Sequence, residues 1–209
     1  LNHSEINDIK NNPLSSSLLP KQEAGIRDSC VLPYQLYADG KLNLDKNTFE
    51  ITFASKNELF GERTAGAPFN VYAPGRYQSQ DAQQQNNTND EVKNWNYAVR
   101  AGSQLVNEWP LKNFENNSYH LKVYGPNGFF REFKGDANDP DILMGFEYEK
   151  MKNSPSKLSG NIIISLKNLS GKNQTMYIEY KAYQKGVRTI SLDKSDAEIT
   201  EILNLKKSF

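Results

Sequence analysis

Little of the usual chemical equipment is present in this 209-residue sequence. Cysteine occurs once, at Cys30, which excludes an intrachain disulfide and any cysteine-rich metal site. Histidine occurs twice, at His3 and His120, with no HxH or HExxH spacing, so a zinc site has no support. Charge of one sign is also missing: 25 basic side chains balance 25 acidic ones, which removes long-range steering toward nucleic acid or an anionic bilayer. No apolar run approaches the length of a membrane span, and no amphipathic helix or signal peptide stands out. Nucleic acid and a transmembrane segment are therefore not expected. Gly125, Gly128 and Gly135 surround a turn instead of opening a helix, so they make no phosphate cradle of the helix-dipole kind.

What is present is a core. Apolar residues make up 37% of the chain, and eleven Tyr with ten Phe supply large buried surfaces, enough for one sizeable domain or two small ones. The stretch that organises the chain is Tyr119–Gly135. Tyr119, Leu121 and Val123 alternate with His120, Lys122 and Tyr124, and a second alternating run follows Gly125-Pro126-Asn127-Gly128. Two such runs around Pro-Asn-Gly predict an antiparallel hairpin, with Pro126 presetting the first turn position and Gly128 supplying positive φ. One hairpin is marginal alone, so a sheet and a second layer must surround it.

Residues 1–21 show weak helical character at Ile6 and Ile9, then dissolve into a Pro- and Ser-containing linker. Strands are expected at Ser29–Tyr37, Thr48–Ser55, Phe69–Tyr72 and Trp95–Arg100, with Ala38–Lys41 as a turn and a further strand over Gln104–Trp109. Arg76–Lys93, with five Gln and almost nothing to bury, reads as a solvated loop, either an elaborated hairpin tip or a ligand-gripping segment. Asp136–Asp141 is a second polar loop, and Ile142–Lys150 is strand-like. Met151–Ser159 is the best internal boundary. Beyond it, NIIISLKN, QTMYIEYKA, Val187–Leu192 and Ala197–Leu205 repeat the order of FEITFASKN, FNVY, NYAVRAGS and LVNEWPL. The expected fold is all-β: immunoglobulin-like or jelly-roll-like antiparallel sandwich modules. One module covers residues 22–150, and a truncated one of the same kind covers 151–209.

Candidate chemistry is sparse. Cys30 sits among apolar residues with no nearby histidine, the setting of a buried thiol more than of a nucleophile. His120 reads as structural or exposed. Asp136–Asp141 has oxygen ligands at alternating spacing but lacks the glycine bend and terminal Glu of an EF-hand, and surface turns favour the same residues. No catalytic, cofactor-binding or metal-ligating residue is expected, and no cofactor. Phe129, Arg131 and Phe133 share one strand face, and an arginine between aromatics is a candidate interface or ligand contact.

The strings QEAGIRDSCVLPYQLYADGKL (22–42), Trp109-Pro110-Leu111 and YHLKVYGPNGFFREFKG (119–135) together resemble the C-terminal domains of bacterial phosphocholine-preferring phospholipases C, the acid-phosphatase-related type. Asp28 and Gln35 depart from that pattern, which has Pro and Glu there. Tyr34, Trp109, Pro126, Gly128, Phe130, Arg131 and Phe133 match it. The resemblance implies a secreted or periplasmic parent enzyme that hydrolyses phosphatidylcholine or sphingomyelin. It places the catalytic residues in an N-terminal phosphoesterase domain of the same polypeptide, absent from this chain. That domain is the expected partner, with a phospholipid surface as a second candidate. The alternative is a lipid-headgroup or carbohydrate binding module without a phospholipase partner.

Overall fold

The computed structural model describes residues 2–12, 15–17, 19, 32–79, 88–181, 186–194 and 198–205. The chain divides into a short unit, Leu1–Val31, and a large one, Leu32–Phe209. In the short unit, α1 (His3–Asn11) begins with a capping box: Asn2 Oδ1 accepts the Glu5 amide and Glu5 returns the bond to the Asn2 amide. Two orphan amides of the first turn are thereby satisfied. Cys30 and Ser29 lie outside the described residues.

The large unit is entirely antiparallel β among its described strands. β1 (Leu36–Asn43), β2 (Thr48–Ser55) and β5 (Ser103–Pro110) form one sheet in the order β1-β2-β5. β3 (Ala67–Ser79), β4 (Thr88–Val99), β6 (Tyr119–Tyr124) and β7 (Phe130–Gly135) form the second, in the order β4-β3-β6-β7. The chain therefore crosses between sheets after β2, after β4 and after β5. Alternation explains the packing: Phe49, Ile51 and Phe53 of β2 face Phe69 and Val71 of β3 and Leu121 and Val123 of β6, all buried. Phe49 stacks on Tyr119 at 4.0 Å and Phe53 meets Phe69 at 5.3 Å, so the inner faces of the two sheets interdigitate. Trp109 is 1% exposed, edge-on to Trp95 and Tyr97.

A second sheet pair follows. β8 (Ile142–Met151), β9 (Ser154–Asn168) and β12 (Glu198–Leu203) order as β12-β9-β8, while β10 (Gln174–Tyr180) pairs with β11 (Gly186–Leu192). The pairings of the first pair recur: β9–β12 stands as β2–β5 does, and β10–β11 as β3–β4 does. Its core is smaller, with Ile164, Leu166, Ile190, Leu192 and Leu203 buried.

Two expectations need correction. Ala38–Lys41 is the middle of β1, not a turn: Ala38, Asp39 and Gly40 pair with Phe53, Thr52 and Ile51. The reversal comes at Leu44–Asn47, where Asn47 takes positive φ and its amide donates to the Leu44 carbonyl. Arg76–Lys93 is not one loop, because β3 runs to Ser79 and β4 starts at Thr88. A bulge between Pro74 and Tyr77, at Gly75, lets Tyr77 return to the core. Met151–Ser159 carries strand pairing, the tight end of the β8–β9 hairpin.

The Pro-Asn-Gly turn exists, shifted by one position. Asn127 (φ 55) and Gly128 (φ 74) are its central pair, and the Phe129 amide donates to the Pro126 carbonyl at 3.1 Å. Positive φ at both central residues is the twist-matched hairpin turn. A Cβ at Gly128 meets nothing within 4 Å, so only backbone strain opposes substitution. Gly128→Val should cost about 1–3 kcal/mol, read as a lower urea midpoint at unchanged m-value. Equal midpoints would remove this reading of the turn.

Candidate functional site

The β6–β7 hairpin presents two faces of different character. On the inner face, Phe129, Arg131 and Phe133 are half-buried. Phe133 packs on Phe49 at 5.5 Å, and Phe129 meets Phe69 edge-on. The Arg131 guanidinium lies 4.9 Å from the Phe129 ring centre and 5.5 Å from that of Phe146 on β8, where it makes cation–π contacts. Its Nη1 donates to the Phe130 carbonyl, while its buried Nε has no acceptor among the described residues. The aromatic-flanked arginine thus faces this chain's own second sheet pair.

On the outer face the rings are free. Tyr72, Tyr124 and Phe130 are 36%, 41% and 42% exposed, with Tyr124 5.6 Å from Tyr72 and 5.1 Å from Phe130. Cross-strand pairing explains the row, since Tyr124 stands opposite Phe130 on one side and Asn70 on the other. Asn94 and Asn96, exposed opposite Tyr72 and Asn70, extend the face in amides.

The junction between the sheet pairs is built from β1, β7 and β8. Lys56 Nζ sits 3.1 Å from Glu147 and 4.5 Å from the Tyr37 ring centre, Lys150 pairs with Glu58 at 2.9 Å, and Tyr37 meets Tyr148 at 5.8 Å. Burial works against the Lys56 ammonium, yet the Glu147 hydrogen bond and charge raise its pKa. The Lys150 hydrogen bond lowers that of Glu58. Both pairs are exposed enough that each contributes at most about 1 kcal/mol. Alongside them a cavity of about 460 Å³ opens between Gly40, Phe133, Met144 and Met176. Asp39 on its wall is pushed upward by burial, with the charges of Arg131 and Lys56 opposing.

The other sequence-picked residues are structural in placement. Tyr34 packs half-buried on the main core, Trp109 is buried, Pro126 and Gly128 form the turn, and Phe130 joins the outer row. His120 Nε2 lies 2.7 Å from Glu132 Oε1 across the hairpin, holding the Glu132 carboxyl below its usual range. In the acidic loop, Asp139 Oδ2 accepts both the Tyr119 hydroxyl and the Asp136 amide. Burial, then that bond to Asp139, pushes the Tyr119 phenol well above its usual value.

Four contributors were missed by sequence reasoning. Gly40 is needed because a Cβ there would sit 2.6 Å from Phe133 and 2.7 Å from Phe49. Gly135 admits the Tyr119–Asp139 pair. Gln35, 1% exposed, donates to the Tyr37 hydroxyl and accepts the Leu59 amide, tying down the chain after β2. Asn168, fully buried, bonds the ends of β9 and β11. Only the glycines had a signal, as glycine inside alternating runs.

Comparison with known proteins matches residues 29–136 to the family described as bacterial phospholipase C, C-terminal domain. A non-hemolytic phospholipase C of Burkholderia pseudomallei (strain K96243) is 30% identical over 163 residues, covering 75% of this chain and 19% of the relative. A non-hemolytic and a hemolytic phospholipase C of Pseudomonas aeruginosa PAO1 are each 26% identical, over 88% and 91% of this chain. The chain spans 24% and 26% of those two relatives, so it corresponds to about a quarter of their length or less.

Proposed function

Because the chain belongs to the family of bacterial phospholipase C C-terminal domains, we propose that it is the non-catalytic accessory region of a secreted or periplasmic phospholipase C, docked on the catalytic domain that precedes it. The parent's substrates in this reading are phosphatidylcholine or sphingomyelin, and the phosphodiester chemistry belongs to an N-terminal phosphoesterase domain. This chain helps present that domain to the lipid.

One observation carries the docking: the free row Tyr72–Tyr124–Phe130 on the outer face of the β4-β3-β6-β7 sheet. Exposed aromatic rows of this kind favour an interface, since rings bury large area at low entropic cost. The proposed occupant is the rest of the same polypeptide; in the relatives the matched part is only 19%, 24% and 26% of the length. Zero net charge supplies no overall attraction to an anionic membrane.

Strand order supports an immunoglobulin-like over a jelly-roll-like sandwich. Strands one, two and five share a sheet, and three, six and seven the other, with the fourth beside the third. By the recurring pairings, the second module is a partial copy: β8, β9, β10, β11 and β12 correspond to β1 to β5, and counterparts of β6 and β7 are not found among the described residues. The division between modules then falls at Asp136–Asp141.

In a test, the upstream part of the polypeptide and this chain are made separately and their association measured by sedimentation. Tyr124→Ser with Phe130→Ser should weaken association at least tenfold, leave partition onto phosphatidylcholine vesicles unchanged, and leave the chain alone unable to release phosphocholine. Wild-type pieces that fail to associate, with tight vesicle binding by this chain, would instead favour the lipid-headgroup module.

A further inference from the structure

The junction cavity has a chemistry that the docking reading does not use. Its wall is mainly apolar, with Leu42, Ile142, Met144, Phe146 and Met176 contributed by both sheet pairs. About 460 Å³ lies within the range of small-molecule sites. Two methionines make the wall adaptable, since an unbranched thioether reshapes around a guest more readily than a branched side chain does.

The polar groups on the wall are mostly spent. Lys41 pairs with Glu50, Glu132 with His120 and Lys122, and Asp139 with Tyr119. Arg131 is different. Its guanidinium is held between two aromatic rings, one from each sheet pair, and its buried Nε donates to nothing among the described residues. The arginine lines the cavity, and a cation on an otherwise apolar wall favours an anion, to which a guanidinium offers charge-assisted hydrogen bonds. Asp39 is the competing charge on the wall, and no ion pair within 4.0 Å joins it to Arg131. Burial raises its pKa, with the charges of Arg131 and Lys56 opposing.

We propose that the cavity between the two sheet pairs is a binding site for a single-chain amphipathic anion, its apolar body lying along Met144, Met176 and Ile142 and its carboxylate or phosphate received by Arg131. Gly40 lets the Phe133 and Phe49 rings close over β1 and so shapes this wall, since any side chain there would meet both. Because the walls come from both sheet pairs, an occupant bridges them and fixes their mutual arrangement.

Calorimetric titration of the intact chain with monomeric decanoate, decyl phosphate, decanol and decyltrimethylammonium tests this. Both anions should bind at least tenfold tighter than the alcohol or the ammonium. Arg131→Met, which keeps the stem, should erase that preference. Met176→Trp should block all four by filling the cavity, and Met144→Phe serves the same purpose if the first variant unfolds. Tyr124→Ser on the outer face should change nothing here, which separates this site from the docking row. Anions that bind no tighter than decanol, an unaltered preference in Arg131→Met, no binding, or binding only to vesicles containing phosphatidic acid would each overturn the proposal.

Discussion

Asn168→Ala should destabilise the second sheet pair by about 3 kcal/mol or more while leaving the first pair folded. Asn168 is fully buried at the end of β9. Its amide nitrogen donates to the carbonyls of Lys172 at 2.7 Å and Asp193 at 2.8 Å, and its oxygen accepts the Ser170 amide and hydroxyl. One side chain thus closes the β9–β10 turn and fastens the end of β11 to it. Truncation leaves two carbonyls and one amide of part-buried hydrogen bonds without this partner, each at its own cost. Among the described residues the core beneath has five buried apolar side chains, so little is left to absorb the loss. Hydrogen exchange reads the outcome: Ile164 and Ile190 amides should lose protection while Phe53 and Val71 keep theirs. Asn168→Asp keeps the acceptor and removes the donor, so it should be comparably damaging. Protection unchanged in both variants would show that the clamp is not needed.

The second large effect is expected at Gly135. A Cβ there would collide with Asp139 Oδ2 and approach the Tyr119 hydroxyl at 2.6 Å. That hydroxyl donates to Asp139 at 2.8 Å, and Asp139 also receives the Asp136 amide, so the loop leading to β8 is anchored on this pair. Gly135→Ala must either expel Asp139 or push Tyr119 away from Phe49, on which it stacks. A cost of roughly 2–4 kcal/mol follows from overpacking together with a lost part-buried hydrogen bond. In a Tyr119→Phe background the penalty should shrink, because one of the two obstructing oxygens is gone. A double-mutant cycle by urea unfolding measures that coupling. A wild-type midpoint for Gly135→Ala, or strict additivity with Tyr119→Phe, would contradict the close packing.

Sequence was legible where one face is buried and the other wet. β2 and the β6–β7 hairpin alternate cleanly, and both stand where the pattern put them. It failed where neither face of a ribbon is covered. The far ends of β3 and β4 read as a polar loop because Gln78, Glu91 and Val92 are exposed and leave no hydrophobic period, although the backbone ladder continues. It failed again at Ala38-Asp39-Gly40, where glycine signified close approach of Phe133 and not a turn. The candidate site was half legible. Arg131 between aromatics is visible in the string FFREF, but which surface covers it depends on Phe146, brought alongside only by the tertiary fold. The outer row was hidden for a similar reason, since Tyr72 and Tyr124 are far apart in sequence and adjacent only through strand pairing.

The crossing of the chain between sheets has a consequence for the order of events in folding. β2 finds its partner β5 only after β3 and β4 have been made, and β3 waits for β6. The inner faces of the first sheet pair are not fully covered until residue 124 is available, so its nucleus is largely non-local and closes a long loop before the full reward. β8–β9 and β10–β11 in the second pair are neighbouring hairpins with no such wait, although β12 still returns to β9. During synthesis from the N-terminus, the part that emerges first is therefore the part that settles slowly. Phe49, which stacks on Tyr119, stays partly uncovered through that interval, and a chaperone has that long to meet it.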